Sequence, residues 1–369
     1  MFVSEDADRH RLPVALLSGF LGSGKTTLLN ALLRDPRLAD TAVAINEFGE
    51  VPLDQHLIDH GDDKTVVMAN GCLCCNLAGD MEEALMRVFS RRESGELPRF
   101  ARLIVEPSGL ADPAPIAQAI LRNPLMSRVL RLDTTLATAD AVFGMRQLDE
   151  HGEARKQASF ADRILLTKTD LAAPEVVARL KARLANLNPT AEIIDVQHGN
   201  VDPARLFAAQ FFDTLAASSA IAQWLDEQGG KTQDEASRGQ AHEHAHSAHT
   251  GAAHGETVRA LSLLCAAPLS WPAFEAWLRQ IRLTFSDDLL RYKGIVNSAS
   301  RERPIVIQGV HHVLHPPVEL DAWPSADRRT RLVFITRGAI GDQIRARWSA
   351  ALGELTLEQY PREEAHARH

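Results

Sequence analysis

Short apolar runs recur along the first part of the chain: PVALLS (13–18), TAVAI (41–45), KTVVM (64–68), ARLIV (101–105), DRILLT (162–167) and AEIIDV (191–196). Each is rich in Val, Ile and Leu, and none alternates strictly. That is the pattern of strands buried on both faces of a parallel sheet. Stretches of helical spacing separate them: residues 25–34, with Leu28, Leu29, Leu32 and Leu33, then 80–92 and 174–187. Repeated strand–helix units predict an α/β fold, a doubly wound parallel sheet with helices on both faces.

The pattern breaks at about Asp226. Residues 226–257 hold almost no large apolar side chain and cannot build a core, so they predict a flexible linker. Order returns with VRALSLLC (258–265), a helix pattern at 270–283, strands at 304–308 (PIVIQ) and 331–335 (RLVFI), and a helix at 341–352. These predict a smaller α+β domain. The expected division is 1–225, 226–257 and 258–360, followed by a frayed tail.

Composition narrows the function. A length of 369 residues suits two domains, and 45% apolar with 24% charged residues is ordinary for a globular chain. Lys and Arg number 40 against 48 Asp and Glu, a net charge of −8, which argues against a non-specific nucleic-acid binder. No apolar run reaches the ~18 residues of a membrane span. Met1–Leu12 is polar and lacks the basic-then-apolar order of a signal peptide, so a cytoplasmic protein is expected. Four Cys are too few for a disulfide framework.

The first strand runs into Gly19-Phe20-Leu21-Gly22-Ser23-Gly24-Lys25-Thr26, and a helix follows. This is G-x-x-x-x-G-K-S/T in the strand–loop–helix context that a phosphate-binding P-loop requires. Its glycines let backbone N–H groups turn inward around phosphate oxygens, and the helix N-terminus adds partial positive charge. Lys25 would reach the β- and γ-phosphates, and the Thr26 hydroxyl would bind Mg2+.

Other strand ends carry compatible chemistry. Glu106-Pro107-Ser108-Gly109 places an acid at a strand tip, where it would organise Mg2+ or its waters. Gly109 would let the backbone approach a γ-phosphate. Thr167-Lys168-Thr169-Asp170 stands where guanine readers carry N-K-x-D. Asp170 would accept from the ring N1–H and the exocyclic amine, a donor pair adenine lacks, with the Lys168 stem along the base. Thr167 replaces the usual Asn, which alters one base or loop contact. His198-Gly199-Asn200 would form a last base-contacting loop. Asn46-Glu47-Phe48-Gly49-Glu50, with Asp54 close behind, occupies the place of a first switch. Glu47 or Asp54 would position the attacking water or Mg2+, and a solvated acidic loop is the plain alternative for either.

Cys72, Cys74 and Cys75 lie between a strand and a helix, and Gly71 permits a tight turn. Three thiols converging on one ion suit Zn2+ and leave a fourth position for a partner or another side chain, while Co2+ and Cu(I) are alternatives. A redox pair or simple packing is the competing reading. His242, His244, His246, His249 and His254 lie in the linker. A flexible chain could wrap them around Zn2+, Ni2+ or Co2+, weakly, because it must be ordered on binding. Cys265 stands alone in an apolar strand and reads as packing.

With these residues in place, the chain resembles the CobW-like P-loop GTPase metallochaperones and, more distantly, the nickel-insertion GTPases of urease and hydrogenase. The resemblance rests on GFLGSGKTT (19–27), NEFGE (46–50), GCLCC (71–75), EPSGLADP (106–113), ADRILLTKTD (161–170) and LLRYKGIV (289–296). It implies a P-loop NTPase parallel sheet followed by the family's smaller C-terminal domain. It also implies a nucleotide site at Gly22, Ser23, Gly24, Lys25, Thr26, Thr27, Lys168 and Asp170, and a metal motif at Cys72, Cys74 and Cys75. Some relatives have an acidic residue where this chain has Ile45. The expected function is a GTP-hydrolysing chaperone that binds GTP or GDP, Mg2+ and Zn2+ (Co2+ or Ni2+ as alternatives) and passes metal to a client metalloprotein. No nucleic-acid or membrane partner is expected, and a homo-oligomer is left open. The alternatives are a metal buffer or sensor with incidental GTPase activity, and a maturation factor for a cobalt or iron enzyme such as nitrile hydratase.

Overall fold

The computed structural model describes residues 10–45, 67–69, 77–207 and 258–353. The first region contains β1 (Leu12–Gly19), α1 (Lys25–Leu33), β2 (Thr41–Ile45), β3 (Val67–Ala69), α2 (Leu77–Glu93), β4 (Arg102–Glu106) and α3 (Ala114–Arg122). It continues with β5 (Leu130–Asp140), α4 (Gly144–Glu150), α5 (Gly152–Phe160), β6 (Arg163–Thr167), α6 (Pro174–Leu187) and β7 (Glu192–Val196). The seven strands form one sheet in the order β3-β2-β4-β1-β5-β6-β7, with every pairing parallel.

Both faces of this sheet are covered, which is why its strands read as continuous apolar runs. Along β1 the side chains alternate between faces. Ala15 and Leu17 pack with Leu28, Leu29 and Leu32 of α1. Val14 and Leu16 pack with Leu85 and Val88 of α2 and with Ala117 and Ile120 of α3. A further layer joins α4, α5 and α6 to β5 and β6 through Leu148, Ala158, Leu180 and Leu184.

The long strand β5 pairs directly with β1 yet is absent from the predicted strands. Thr134, Thr135, Thr138 and Asp140 break its apolar pattern, and all four are buried. Their polar atoms have internal partners, so burial is compatible with polarity here. Helices α3, α4 and α5 also went unpredicted. Elsewhere the observed ends differ from the predicted ones by a few residues, as element ends commonly do.

The second region contains β8 (Val258–Cys265), α7 (Trp271–Thr284), β9 (Leu289–Val296), β10 (Ile305–Val310), β11 (Val313–Leu314), β12 (Val318–Glu319), β13 (Thr330–Arg337) and α8 (Gly341–Leu352). Its sheet has the order β11-β10-β9-β13-β8, antiparallel throughout, with β12 beside β10. Helices α7 and α8 cover one face through Phe274, Trp277 and Trp348. The Trp277 and Trp348 rings meet edge-on, with centroids 4.8 Å apart. β9 was expected only as part of a family motif. Its Arg291 and Lys293 disguise a strand that is buried along its whole length.

Those two cations lie on the face of β9 opposite Tyr292, and they join the two sheets. Asp162, just before β6, accepts from Lys293 Nζ at 2.6 Å and from the Arg291 guanidinium. Its other oxygen accepts from Thr135 N and Oγ1 at 2.8 and 2.7 Å. Arg291 also donates to Phe160 O at the end of α5. Burial alone would raise the Asp162 carboxyl, but Arg291, Lys293 and Thr135 hold it far below the usual carboxylate range. Burial pushes Lys293 down to about 8, against the pull of Asp162. The nearby His315 is pushed down to about 3, by burial first and then by Arg291.

Two outcomes are expected. Asp162→Asn leaves two buried cations without their counter-charge and should cost about 3–5 kcal/mol, read as a lower denaturant midpoint. His315 stays neutral in the folded chain at pH values where the unfolded chain binds a proton. Stability should therefore fall as pH drops from 6.5 toward 3, and His315→Phe should flatten that part of the pH–melting-temperature curve.

Candidate functional site

Because the first sheet is wholly parallel, the C-terminal ends of its strands share one edge. That edge carries the 19–24 loop after β1, Glu106–Gly109 after β4, Asp140 at the end of β5, Thr167–Asp170 after β6 and His198 after β7. In open α/β sheets, ligands bind at this edge.

The 19–24 loop is fixed from below by two neighbouring strands. Gly19 has φ 144°, and a Cβ there would lie 2.0 Å from Thr138 Oγ1, so only glycine fits. Ser23 Oγ and Thr138 Oγ1 share a hydrogen bond of 2.6 Å. Thr167 Oγ1 donates to Ser23 O at 2.7 Å and to Ala139 O at 3.2 Å. The sequence counts Thr167 among the nucleotide contacts, but its hydroxyl proton goes to these loop and strand carbonyls. Lys25 is buried, and its Nζ donates to Gly19 O at 2.8 Å and Phe20 O at 3.2 Å. Gly22 and Gly24 both have positive φ, and Gly24 precedes the first turn of α1, which holds a half-buried Thr26 and an exposed Thr27.

Glu106 and Ser108 are buried at the tip of β4. Among the described residues, Ser108 Oγ has no hydrogen-bond partner. A buried carboxylate, an orphaned hydroxyl and the Thr26 hydroxyl are hard oxygen donors, a set that fits Mg2+. Gly109 packs directly on the P-loop, and a Cβ there would meet Leu21 N at 2.9 Å. Gln157 of α5 holds this segment by donating from Nε2 to Gly109 O at 3.0 Å and Ala111 O at 3.1 Å.

Lys168 has φ 56°, and its Nζ reaches back over the loop to Gly22 O at 2.8 Å and Asp140 Oδ2 at 2.6 Å. Asp140 is almost fully buried, and its second oxygen accepts from Val142 N at 2.8 Å and Phe143 N at 3.2 Å. Sequence reasoning missed Asp140, because the strand it ends was not predicted and its place beside the P-loop strand is set by the fold. It missed Gln157 too, where nothing in the local pattern gave a signal. The Asp170 carboxylate is about one-third exposed, and His198 Nε2 lies 3.9 Å from it.

Glu47, Asp54, Cys72, Cys74, Cys75, His242, His244, His246, His249 and His254 lie outside the described residues. In sequence, the three cysteines follow β3, which ends at the same sheet edge as the P-loop. Among the described residues, no group of three or more His, Cys, Asp or Glu could hold a metal ion. Cys265 is buried, with Sγ 3.4 Å from Ala267 O.

Residues 13–195 match the family described as "CobW/HypB/UreG, nucleotide-binding domain", and residues 258–352 match "Cobalamin synthesis protein cobW C-terminal domain". The chain is 30% identical to "Zinc chaperone YjiA" of Escherichia coli, over 91% of this chain and 97% of that protein. The chain belongs to the CobW-like family. A CobW-like relative from Schizosaccharomyces pombe, "Zinc-regulated GTPase metalloprotein activator 1", is 31% identical over 55% of this chain and 50% of its own length. The crystal structure of Zn(II)-bound YjiA GTPase from E. coli superposes with a TM-score of 0.66 at 26% identity, covering 92% of this chain and 99% of that one. The resemblance read from the motifs is therefore established, as is the fold: a P-loop NTPase sheet and a C-terminal antiparallel sheet with helices. No helix among the described residues is long and apolar enough to cross a membrane.

Gly109→Ala would force the β4 loop away from Leu21. Nucleotide affinity, read by fluorescence titration, is expected to fall at least about tenfold, since ~1.4 kcal/mol of misplacement suffices for that.

Proposed function

We propose that this protein is a GTP-hydrolysing metal chaperone that takes up Zn2+ at Cys72, Cys74 and Cys75 and passes it to a client metalloprotein. The observation that carries this is its near end-to-end similarity to a zinc chaperone, in a chain that combines a P-loop with Cys-x-Cys-Cys.

The P-loop amides and the Lys25 ammonium bind the triphosphate and offset the charge that develops as the γ-phosphoryl leaves. Thr26 and Glu106 would hold Mg2+, which when bound would neutralise phosphate charge. Asp170 accepts from guanine N–H groups. Lys168, held by Asp140, keeps the β6 loop against the P-loop and so aligns the base pocket with the phosphate pocket. Ser108 Oγ supplies a hydroxyl with capacity to spare beside the phosphates. The Gly109 segment responds to the γ-phosphate, and its state biases the affinity of the cysteine segment for metal. Coupling of this kind is reciprocal, so Zn2+ should change GTP affinity by the factor by which GTP changes Zn2+ affinity.

Calorimetric titration of metal-free protein with Zn2+, Co2+ and Ni2+, with GTP turnover followed in parallel, tests this. One tight equivalent is expected, lost when Cys72, Cys74 and Cys75 are all changed to Ser. Unchanged tight binding in that variant would move the site elsewhere and end the cysteine-centred reading. Lys25→Ala should lower turnover by about 10²–10³-fold, the usual cost of removing one preorganised charge donor. It should also abolish metal delivery, whereas a passive buffer would tolerate it.

A further inference from the structure

Helix α5 touches three parts of the molecule in succession. Just before its first residue, His151 stacks on Phe20 of the P-loop, with centroids 4.6 Å apart and rings 25° from parallel. Within it, Gln157 donates to Gly109 O and Ala111 O. At its last residue, Phe160 O accepts from Arg291 of β9, and two residues on Asp162 holds Arg291 and Lys293. The C-terminal end of the helix cannot slide on its own. Asn188, fully buried at the end of α6, donates to Ala158 O, Ser159 O and Ala161 O at 2.9, 3.1 and 2.8 Å.

Gln157 is costly where it stands. It is 2% exposed, and both its contacts are to carbonyl oxygens, so the amide must present nitrogen to them. That leaves Oε1 buried without a hydrogen-bond partner among the described residues. The adjoining cavity is lined mostly by apolar groups such as Phe20, Leu148, Ile164 and Leu180, with Thr138 and Gln147 also on its wall, and neither of those hydrogen-bonds Oε1. Met or Leu would pack in the same place without an orphaned acceptor. The residue therefore serves the two carbonyls it grips, not the packing of the helix.

We propose that Gln157 is a positioning residue that couples the Gly109 segment to the C-terminal sheet, with α5 as the rigid connection between them. The proposal rests on the reading of Gly109 as the segment that responds to the γ-phosphate. A shift of Gly109 O and Ala111 O moves Gln157, and α5 carries that movement to Phe160 and Asp162, where Arg291 and Lys293 hold β9. The nucleotide state thereby alters how firmly the second sheet is held. Such a route is physical because each link is a direct hydrogen bond or a clamped helix.

The test uses the full chain loaded with GDP or with a non-hydrolysable GTP analogue. Hydrogen exchange is followed in peptides spanning 286–316, which carry Arg291, Lys293 and the turn at His311, and nucleotide affinity is titrated alongside. In the unaltered protein, exchange in this segment is expected to differ about fivefold between the two loaded forms, the lower end of ordinary coupling. Gln157→Met, which keeps the volume and removes the donors, should still bind nucleotide but lose that difference. Gln157→Glu, which keeps the shape and sets a carboxylate against two carbonyls, should lose it as well, and a packing role would survive Gln157→Met. If Gln157→Met does not fold, Arg291→Lys tests the far end of the same route, since it keeps the charge toward Asp162 and gives up the Phe160 contact. Equal exchange with either nucleotide in the unaltered protein, or a difference that persists in the variants, would overturn the coupling. Absence of saturable GTP binding by the unaltered protein would instead overturn the GTPase reading, and the coupling with it, and the titration separates the two failures.

Discussion

Everything at the nucleotide edge depends on seven strands running in one direction. A parallel sheet must send each crossover through a helix, so the loops that leave the strands at their C-terminal ends are collected on one side. The P-loop, the Glu106 tip, the Asp140 carboxylate and the Thr167–Asp170 turn are far apart in sequence. They are neighbours because β4, β1, β5 and β6 are consecutive in the sheet. Shared orientation also ties the loops to one another. Thr138 and Thr167 reach the P-loop from adjacent strands, and Lys168 crosses it to Asp140.

The opposite end of the same strands meets a different requirement. There Asp162, Arg291 and Lys293 are removed from water together, with Thr135 and Phe160 O taking up part of their remaining hydrogen-bonding capacity, while Arg291 Nε has no hydrogen-bond partner among the described residues. Burying charges is expensive, and a matched apolar contact could hold the domains as firmly. The buried ionic contact ties the second sheet to the first at defined atoms. Helix α5 runs between the two ends and touches both. The molecule thus has a nucleotide edge and a docking edge joined by a clamped helix, in addition to the strands themselves.

Much of this was legible in the chain itself. The P-loop, the acid at the tip of β4 and the Lys168–Asp170 turn could be read because each is a contiguous stretch whose chemistry follows from residue types at fixed spacing. The apolar runs of β1, β2, β4 and β6 could be read because burial on both faces demands hydrophobicity along most of each run, and β7, at the sheet edge, because Ile193, Ile194 and Val196 suffice to mark it.

What escaped the sequence is polar and buried. β5 is invisible to hydropathy because its threonines and Asp140 look solvated until their partners are known, and those partners come from β6, the P-loop and the second domain. β9 hides two cations whose counter-charge lies 131 and 129 residues away, in Asp162. Gln157 looks like any surface glutamine on a short helix. Residue type and spacing thus determined the sheet class and the phosphate loop, since these depend on local pattern. Tertiary structure alone decided which polar groups are inside and what they hold, because a buried hydrogen bond is defined by its partner and the partner is set by the fold.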